Sequence, residues 1–506
     1  MRSLLIAPLE QAFADAWSSI DPALKKGFFA AALVSLFAFG FEMTNLSLHH
    51  DDVLHFFIQD TILGHYLGRF GVGWLHYYTQ NAYFMPFLQM AEGIVLMSLY
   101  GVLVAHFWGL RKPLEIATIA AIVCVFPYMA NIYQFNTTMA TYPLAHLLAA
   151  LAVIVSSRAT IIHVGVAALL LTAAFSIYQA VVANAATVFV IWFLIRTLFK
   201  EGGEAFISRT MIRSTISVAI SAALGGLIYV VCVSFMDIKF DDEQAAGQAF
   251  SLGSGIDLAY ASTQILKGTR SFFFWPENYF PIYLKNVQLI FVAVAGLFCV
   301  WIPKKPWAKV TAVAILTLAC FAPRILQLLH PLGTFHSLTL TAYALVVAGA
   351  LAIIFRAVRT VVVRNASMLL AFFLIAGYVI QCNWVSTVGY LNGLAHFTTL
   401  TQVLARVRAI PNAQWDGKTI VVVGRYDMPS EYPFKSAAGV AAKFMDAEHM
   451  GQLARLLRDE ATFVQADSTM PKVLEYAASH LPWPNPASVG VVDGVGVVVL
   501  SKDAAP

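Results

Sequence analysis

The chain of 506 residues is 59% hydrophobic and 12% charged, with a net charge of +4 and a mean hydropathy of +0.72. A soluble protein carries about 25% charged residues, so the composition excludes an ordinary soluble enzyme and indicates a polytopic membrane protein. No basic tract points to nucleic acid, and the five cysteines lie in apolar runs without paired spacing, which reads as small core residues rather than disulfides or a metal cluster.

Residues 1–26 form a first segment, expected to be cytoplasmic. Within it, residues 3–20 place Leu4, Leu5, Leu9, Phe13 and Trp17 at helical spacing, the pattern of an amphipathic helix lying on a membrane surface. A span needs about 20 apolar residues. By that measure eleven transmembrane helices are predicted, near 27–46, 83–108, 113–132, 142–157, 160–178, 180–199, 215–236, 285–303, 309–329, 337–356 and 366–386. Residues 27–386 thus form an all-α polytopic membrane domain. Basic residues near span ends divide sixteen to six between the two sides, which predicts a cytoplasmic N-terminus and an extracytoplasmic C-terminus. Segments 42–82 and 237–284 are then the main outer loops.

From residue 387 the composition changes. The tail holds ten Lys/Arg against eleven Asp/Glu, a strand pattern at Lys418–Gly424, helical stretches near 434–461 and 470–480, and two short strands around Asp493-Gly494. Residues 387–506 are predicted to form a small extracytoplasmic α/β domain.

The groups suited to chemistry gather in the first outer loop. Glu42 ends the first predicted span, and Asp51 and Asp52 follow it. Ionisable groups at a bilayer rim are expensive and are usually kept for a function. A carboxylate there can take the proton of a sugar hydroxyl as that oxygen attacks an anomeric carbon; the bland alternative makes Asp52 the cap of an amphipathic helix from Val53 to Gly64. His49, His50 and His55 beside the acids leave room for a divalent cation, although their spacing matches no zinc pattern. Arg69, Arg270 and Arg324 are cations suited to a phosphate. For Arg324 an ion pair with Glu92 is the structural alternative. Gln134, Asn136 and Thr137 in a short loop, and Tyr178 and Gln179 in a tight turn, are polar groups placed to bind sugar or acceptor hydroxyls, or to finish helix ends. Trp275 lies in the strip Ser271 to Phe280, which reads as an interfacial aromatic belt or as the wall of a lipid or sugar site.

Three features together resemble the serotype-converting O-antigen glucosyltransferases, polytopic membrane enzymes of the GT-C type. They are the acids after span one with Gly68-Arg69 and Trp74-Leu75 downstream, the turn Ile177-Tyr178-Gln179-Ala180, and the helix His396 to Ile410 followed by the strand Val421-Val422-Val423-Gly424. The resemblance implies an inverting transferase of the bacterial cytoplasmic membrane. It would move a hexose, glucose in the family, from a polyprenyl-phosphate donor to O-antigen, lipopolysaccharide or a related cell-surface polysaccharide. A flippase and a donor-lipid synthase are the implied partners, beside membrane lipids and a lipid-linked or polysaccharide acceptor. The family's essential acid falls on Glu42, Asp51 or Asp52. The competing class is a transporter or flippase of a lipid-linked sugar, which would place ionisable residues and broken helices at the bilayer midplane.

Overall fold

The computed structural model describes residues 3–45, 47–48, 52, 68–80, 85–136, 138–199, 207–236, 258–277, 279–329, 337–411, 416–427 and 444–502. The described chain is mostly helical. In order it forms α1 (Ser3–Ser19), α2 (Pro22–Thr44), α3 (Phe70–Gln80), α4 (Pro86–Phe107), α5 (Pro113–Cys124), α6 (Met129–Gln134), α7 (Thr141–Ser156), α8 (Ile161–Ile177) and α9 (Val181–Leu198). There follow α10 (Arg209–Phe235), α11 (Leu258–Phe274), α12 (Ile282–Trp301), α13 (Pro306–Phe321), α14 (Leu326–Leu329), α15 (Tyr343–Ala357) and α16 (Val361–Arg408). The chain divides into two compact units, one made of residues 1–43, 60–133 and 138–383, the other of 44–59, 134–137 and 384–506.

The first unit is the membrane-embedded one. Among the described residues eight helices are long and apolar enough to cross a bilayer. The predicted spans at 113–132, 142–157 and 160–178 form shorter apolar helices of 12, 16 and 17 residues, so among the described residues eight of the eleven expected spans reach full length. The first of the three is cut short where Pro127 follows: α5 caps at Val125, and the chain resumes as the short α6. Helix α15 is buried on every side from Tyr343 to Phe355, as an all-apolar helix at the centre of a bundle should be. The outer helices do the reverse. Ile212, Ile216, Ile220, Leu224, Leu227 and Val231 are exposed along α10, an apolar face suited to lipid. Helices approach closely at small residues: Gly101 of α4 meets the backbone of Ala120 in α5, and Gly225 of α10 meets Ala168 in α8.

Helix α16 runs for 48 residues, about 72 Å at 1.5 Å per residue. The sequence suggested a span and a separate later helix from His396; they are one element, because no Pro interrupts residues 361–408. Its solvent changes along its length. Val361, Val362, Leu369, Phe373 and Ile380 are exposed early, whereas Thr398, Thr401, Gln402 and Arg408 are exposed later. The first set suits hydrocarbon and the second suits water.

In the second unit, strands β1 (Thr419–Val423), β4 (Thr462–Gln465), β5 (Val489–Val492) and β6 (Val495–Val499) form a sheet in the order β4-β1-β6-β5. β1 is parallel to both its neighbours, and β5 is antiparallel to β6 across the Asp493-Gly494 turn, where both residues have positive φ. The alternation along β1 explains why both faces are covered. Ile420 and Val422 pack with Leu400, Val403 and Val407 of α16 and with Met450 and Leu453 of α17 (Ala447–Leu456); Val421 and Val423 pack with Val473 and Ala477 of α18 (Pro471–Ser479). A short antiparallel pair, β2 (Tyr426–Asp427) and β3 (Phe444–Met445), stands apart. The fold class is therefore a helical membrane protein with a small C-terminal α/β portion.

A side chain at Gly93 of α4 would collide with the carbonyl oxygen of Met139 and lie 2.9 Å from the ring of Tyr133, whereas at Gly40 of α2 nothing lies within 4 Å. Gly93→Ala should therefore lower stability by about 1–3 kcal/mol, and Gly40→Ala should leave it unchanged, as read by thermal unfolding of the purified protein in detergent.

Candidate functional site

Asp52 belongs to the second unit and is completely buried. A buried carboxylate must be met by donors, and Asn136 supplies two to the same oxygen. Its side-chain Nδ2 lies 2.8 Å and its backbone N–H 3.2 Å from Asp52 Oδ2. The same Nδ2 also donates to the carbonyl of Ser47 at 2.9 Å. Asn136 thus links Ser47 to Asp52 through its donor groups. Gln134 is likewise committed on its donor side, with Nε2 at 3.1 Å from the Val385 carbonyl on α16. Its buried Oε1 finds no acceptor's partner among the described residues. On α16 the buried residues Val385, Asn392 and His396 share the face that carries Gly389, whose missing side chain makes room for Gln134.

Arg69 belongs to the first unit and joins the two short motifs singled out from the sequence. Its Nε donates to Gln179 Oε1 at 3.3 Å, and its Nη1 to the Tyr142 hydroxyl at 2.7 Å. Gln179 passes the chain on: Nε2 donates to the Tyr229 hydroxyl at 2.7 Å, which donates to the carbonyl of Gly68 at 3.1 Å. Gly68 has φ of +67°, and a Cβ there would lie 2.6 Å from that hydroxyl, so glycine is required on both counts. The rings of Tyr142 and Tyr178 stack 3.9 Å apart, with the guanidinium 5.7 and 5.5 Å from their centroids. A guanidinium offers five N–H groups, and two are taken by these partners. Among the described residues it has no carboxylate partner. A half-buried, oriented cation with unused donors is equipped to bind an oxyanion.

Behind this cluster lies a second buried relay. His146 Nδ1 is 2.7 Å from the carbonyl of Tyr142, which only accepts, so Nδ1 carries a proton; Nε2 is 3.0 Å from Thr341 Oγ1, which in turn takes a hydrogen bond from Asn184 at 3.3 Å. Tyr142, Tyr229 and Thr341 were not singled out from the sequence, and His146 stood out there only as an ionisable residue within a span.

Arg324 lies in a 3-10 turn after α13, half-buried, with Nε 3.1 Å from the Tyr343 hydroxyl and Nη1 3.4 Å from Gln327 Oε1. The suggested ion pair with Glu92 is not formed: Glu92 is exposed on α4, and Arg324 has polar but no acidic partners among the described residues. Arg270 is exposed on α11 and joins neither cluster. Trp275 is exposed as well, while its neighbours Phe272, Phe273, Tyr279 and Phe280 are buried among Phe126, Tyr128, Tyr343 and Tyr378. The aromatic strip is thus core on one side and free surface on the other, since its helical and turn segments point alternate rings opposite ways. Glu42 is buried in the last turns of α2. Asp51, His49, His50, His55 and Thr137, with the amphipathic run at 53–64, lie outside the described residues. Among the described residues no group of three metal-ligating side chains occurs.

The sequence model of the family described as Glucosyl transferase GtrII matches residues 40–355. No curated protein and no solved structure matches the chain. The matched stretch contains Glu42, Asp52, Arg69, Tyr178, Gln179 and Arg324. Arg69→Lys keeps the charge but cannot reach Gln179 and Tyr142 with one planar fork. It should lower kcat/KM for glycosyl transfer about ten- to a hundredfold, measured with membranes containing equal amounts of each protein.

Proposed function

The chain belongs to the Glucosyl transferase GtrII family, and on that premise we propose that it moves glucose, or a related hexose, from a polyprenyl-phosphate donor to O-antigen or a similar surface polysaccharide, at the outer face of the bacterial cytoplasmic membrane. It is a membrane glycosyltransferase; the donor, the acceptor and the side of the membrane are the reading offered here. A sugar carried on a lipid suits an enzyme whose working part is a bundle of apolar helices, and nucleotide sugars are not found outside the cytoplasm. A small flippase and a donor-lipid synthase would supply such a donor. The distribution of basic residues favours a cytoplasmic N-terminus, and an extracytoplasmic portion from residue 387 to the C-terminus.

The observation that carries the catalytic assignment is the pair of N–H groups from Asn136 fixing one oxygen of buried Asp52. A base must be held in one orientation and within hydrogen-bond reach of the proton it takes. In the proposed step Asp52 accepts the proton of an acceptor hydroxyl as its oxygen bonds to the anomeric carbon. The bond from that carbon to the phosphate oxygen breaks, and its electron pair leaves with the polyprenyl phosphate. Attack opposite the leaving group inverts the anomeric centre. The departing phosphate calls for a preorganised cation, and Arg69 with its aromatic flank is the best-prepared candidate, followed by Arg324. Glu42 and Asp51 remain the alternative acids.

Asp52→Asn preserves size and most hydrogen-bonding geometry while removing the base. General-base assistance contributes about 10²–10⁴-fold, so transfer from polyprenyl-phosphate glucose to a glycan acceptor, followed by mass spectrometry, should fall by that factor with unchanged membrane insertion. Full activity in Asp52→Asn, Asp51→Asn and Glu42→Gln alike would reject the assignment.

A further inference from the structure

Residues 271–285 hold polar groups to which the transfer step above gives no task. Helix α11 ends at Phe274, and the chain turns back through a bridge between Glu277 and Phe280 before entering α12. Lys285, in the first turn of α12, has a completely buried side chain. It reaches the carbonyl oxygens of Ser271 and Trp275 and lies 3.4 Å from Glu277 Oε1. Tyr128, from the segment between α5 and α6, donates its hydroxyl to Glu277 Oε2. Nearby, fully buried Asn131 donates to Ser337 and accepts from the hydroxyl of Tyr279 at 2.7 Å. The turn is therefore pinned from α12, from Tyr128 and from Asn131 of α6.

Capping the end of α11 accounts for Lys285 and its two carbonyl contacts. It does not account for Glu277. A carboxylate that serves only as the partner of a buried lysine is expected to spend its acceptor sites on the protein. The side chain of Glu277 instead keeps 27% of its surface open. Each of its oxygens has one partner, and a carboxylate offers about four acceptor sites, so the open side has acceptor capacity to spare. Two residues earlier, Trp275 is 58% exposed, next to aromatic neighbours that are buried. A fixed, partly open carboxylate two residues from an exposed indole is matched to a pyranose, which presents hydroxyl donors at its rim and C–H groups on its face.

We infer that Glu277 and Trp275 form a hexose-binding subsite, in which the Glu277 carboxylate accepts a sugar hydroxyl and the Trp275 indole covers the ring. The inference rests on the reading of the chain as a hexosyltransferase and adds a specificity-determining residue to it. Tyr128 and Lys285 are positioning residues that hold the carboxylate. The ligand is the glucosyl group of the donor or a hexose of the acceptor, and the kinetics separate the two.

The test uses the full-length protein in detergent with Glu277→Gln and Trp275→Leu, the second changing an exposed side chain that the fold does not need. KM for donor and for acceptor are measured separately, together with kcat, thermal unfolding, and saturation-transfer NMR of free methyl glucoside. Glu277→Gln should raise KM for one of the two substrates about tenfold or more, the worth of a hydrogen bond to a charged group, and leave the other within about twofold. Trp275→Leu should raise KM for the same substrate at an unchanged unfolding temperature, and both variants should lose the NMR transfer that the parent protein shows. Unchanged KM values in Trp275→Leu, with a lowered unfolding temperature in Glu277→Gln, would mean a structural ion pair and overturn the inference. If the parent protein uses no polyprenyl-phosphate donor, the earlier reading fails by itself. The NMR comparison then decides the subsite, and absence of transfer to the sugar in the parent protein overturns it.

Discussion

Keeping a charged or polar group out of water is tolerable only if the protein replaces the hydrogen bonds that water gave it, and the polar clusters of this chain are organised by that requirement. Arg69 is held by Gln179 and Tyr142, Asp52 by Asn136, and Lys285 by two carbonyls and Glu277. For Arg69 and Asp52 the partners come from distant parts of the sequence, and for Lys285 from the turn just before it. A buried group satisfied in this way is also an oriented one, because rotating it would break the bonds that make its burial acceptable. Satisfaction and preorganisation are here the same arrangement, and preorganised charge is what transfer chemistry draws on.

The two units meet this requirement in different solvents. In the membrane-embedded unit lipid is as apolar as the helices, so packing relies on close approach at small residues such as Gly101 and Gly225 rather than on driving apolar surface from water. In the second unit the sheet is buried on both faces by apolar side chains of α16, α17 and α18, the ordinary consequence of the hydrophobic effect. Helix α16 belongs to both, and its exposed positions change from Leu369 and Phe373 to Thr401 and Gln402 accordingly.

For the transferase, the Arg69 cluster has a particular logic. The guanidinium is placed by an amide and a phenol, neither of which cancels its charge, and by two stacked tyrosines that shield it. A carboxylate partner, which Arg69 lacks among the described residues, would leave the cation less able to receive an anion. Arg324, held by Tyr343 and Gln327, follows the same pattern. In the transfer proposed above, these two arginines are the candidates to meet a charged leaving group.

Much of this protein was legible in its sequence. Apolar runs longer than a bilayer is thick can only be helices, since lipid offers no partner for a free backbone amide, and the residues that stand out as polar within or beside such runs, Glu42, Asp52, Arg69 and Gln179, stand out because they are costly there. The continuous apolar run at Ile420–Val423 and the Asp493-Gly494 turn likewise announced strands and a hairpin. Pairing was not legible. That Asn136 hydrogen-bonds Asp52, that Tyr142 and Tyr229 complete the setting of Arg69, and that Phe272, Tyr279 and Phe280 are core were settled by the packing of segments far apart in the chain. Periodicity and composition report what one residue needs from its surroundings; which partner meets that need is fixed only when helices separated by tens of residues come within a hydrogen bond's length of one another.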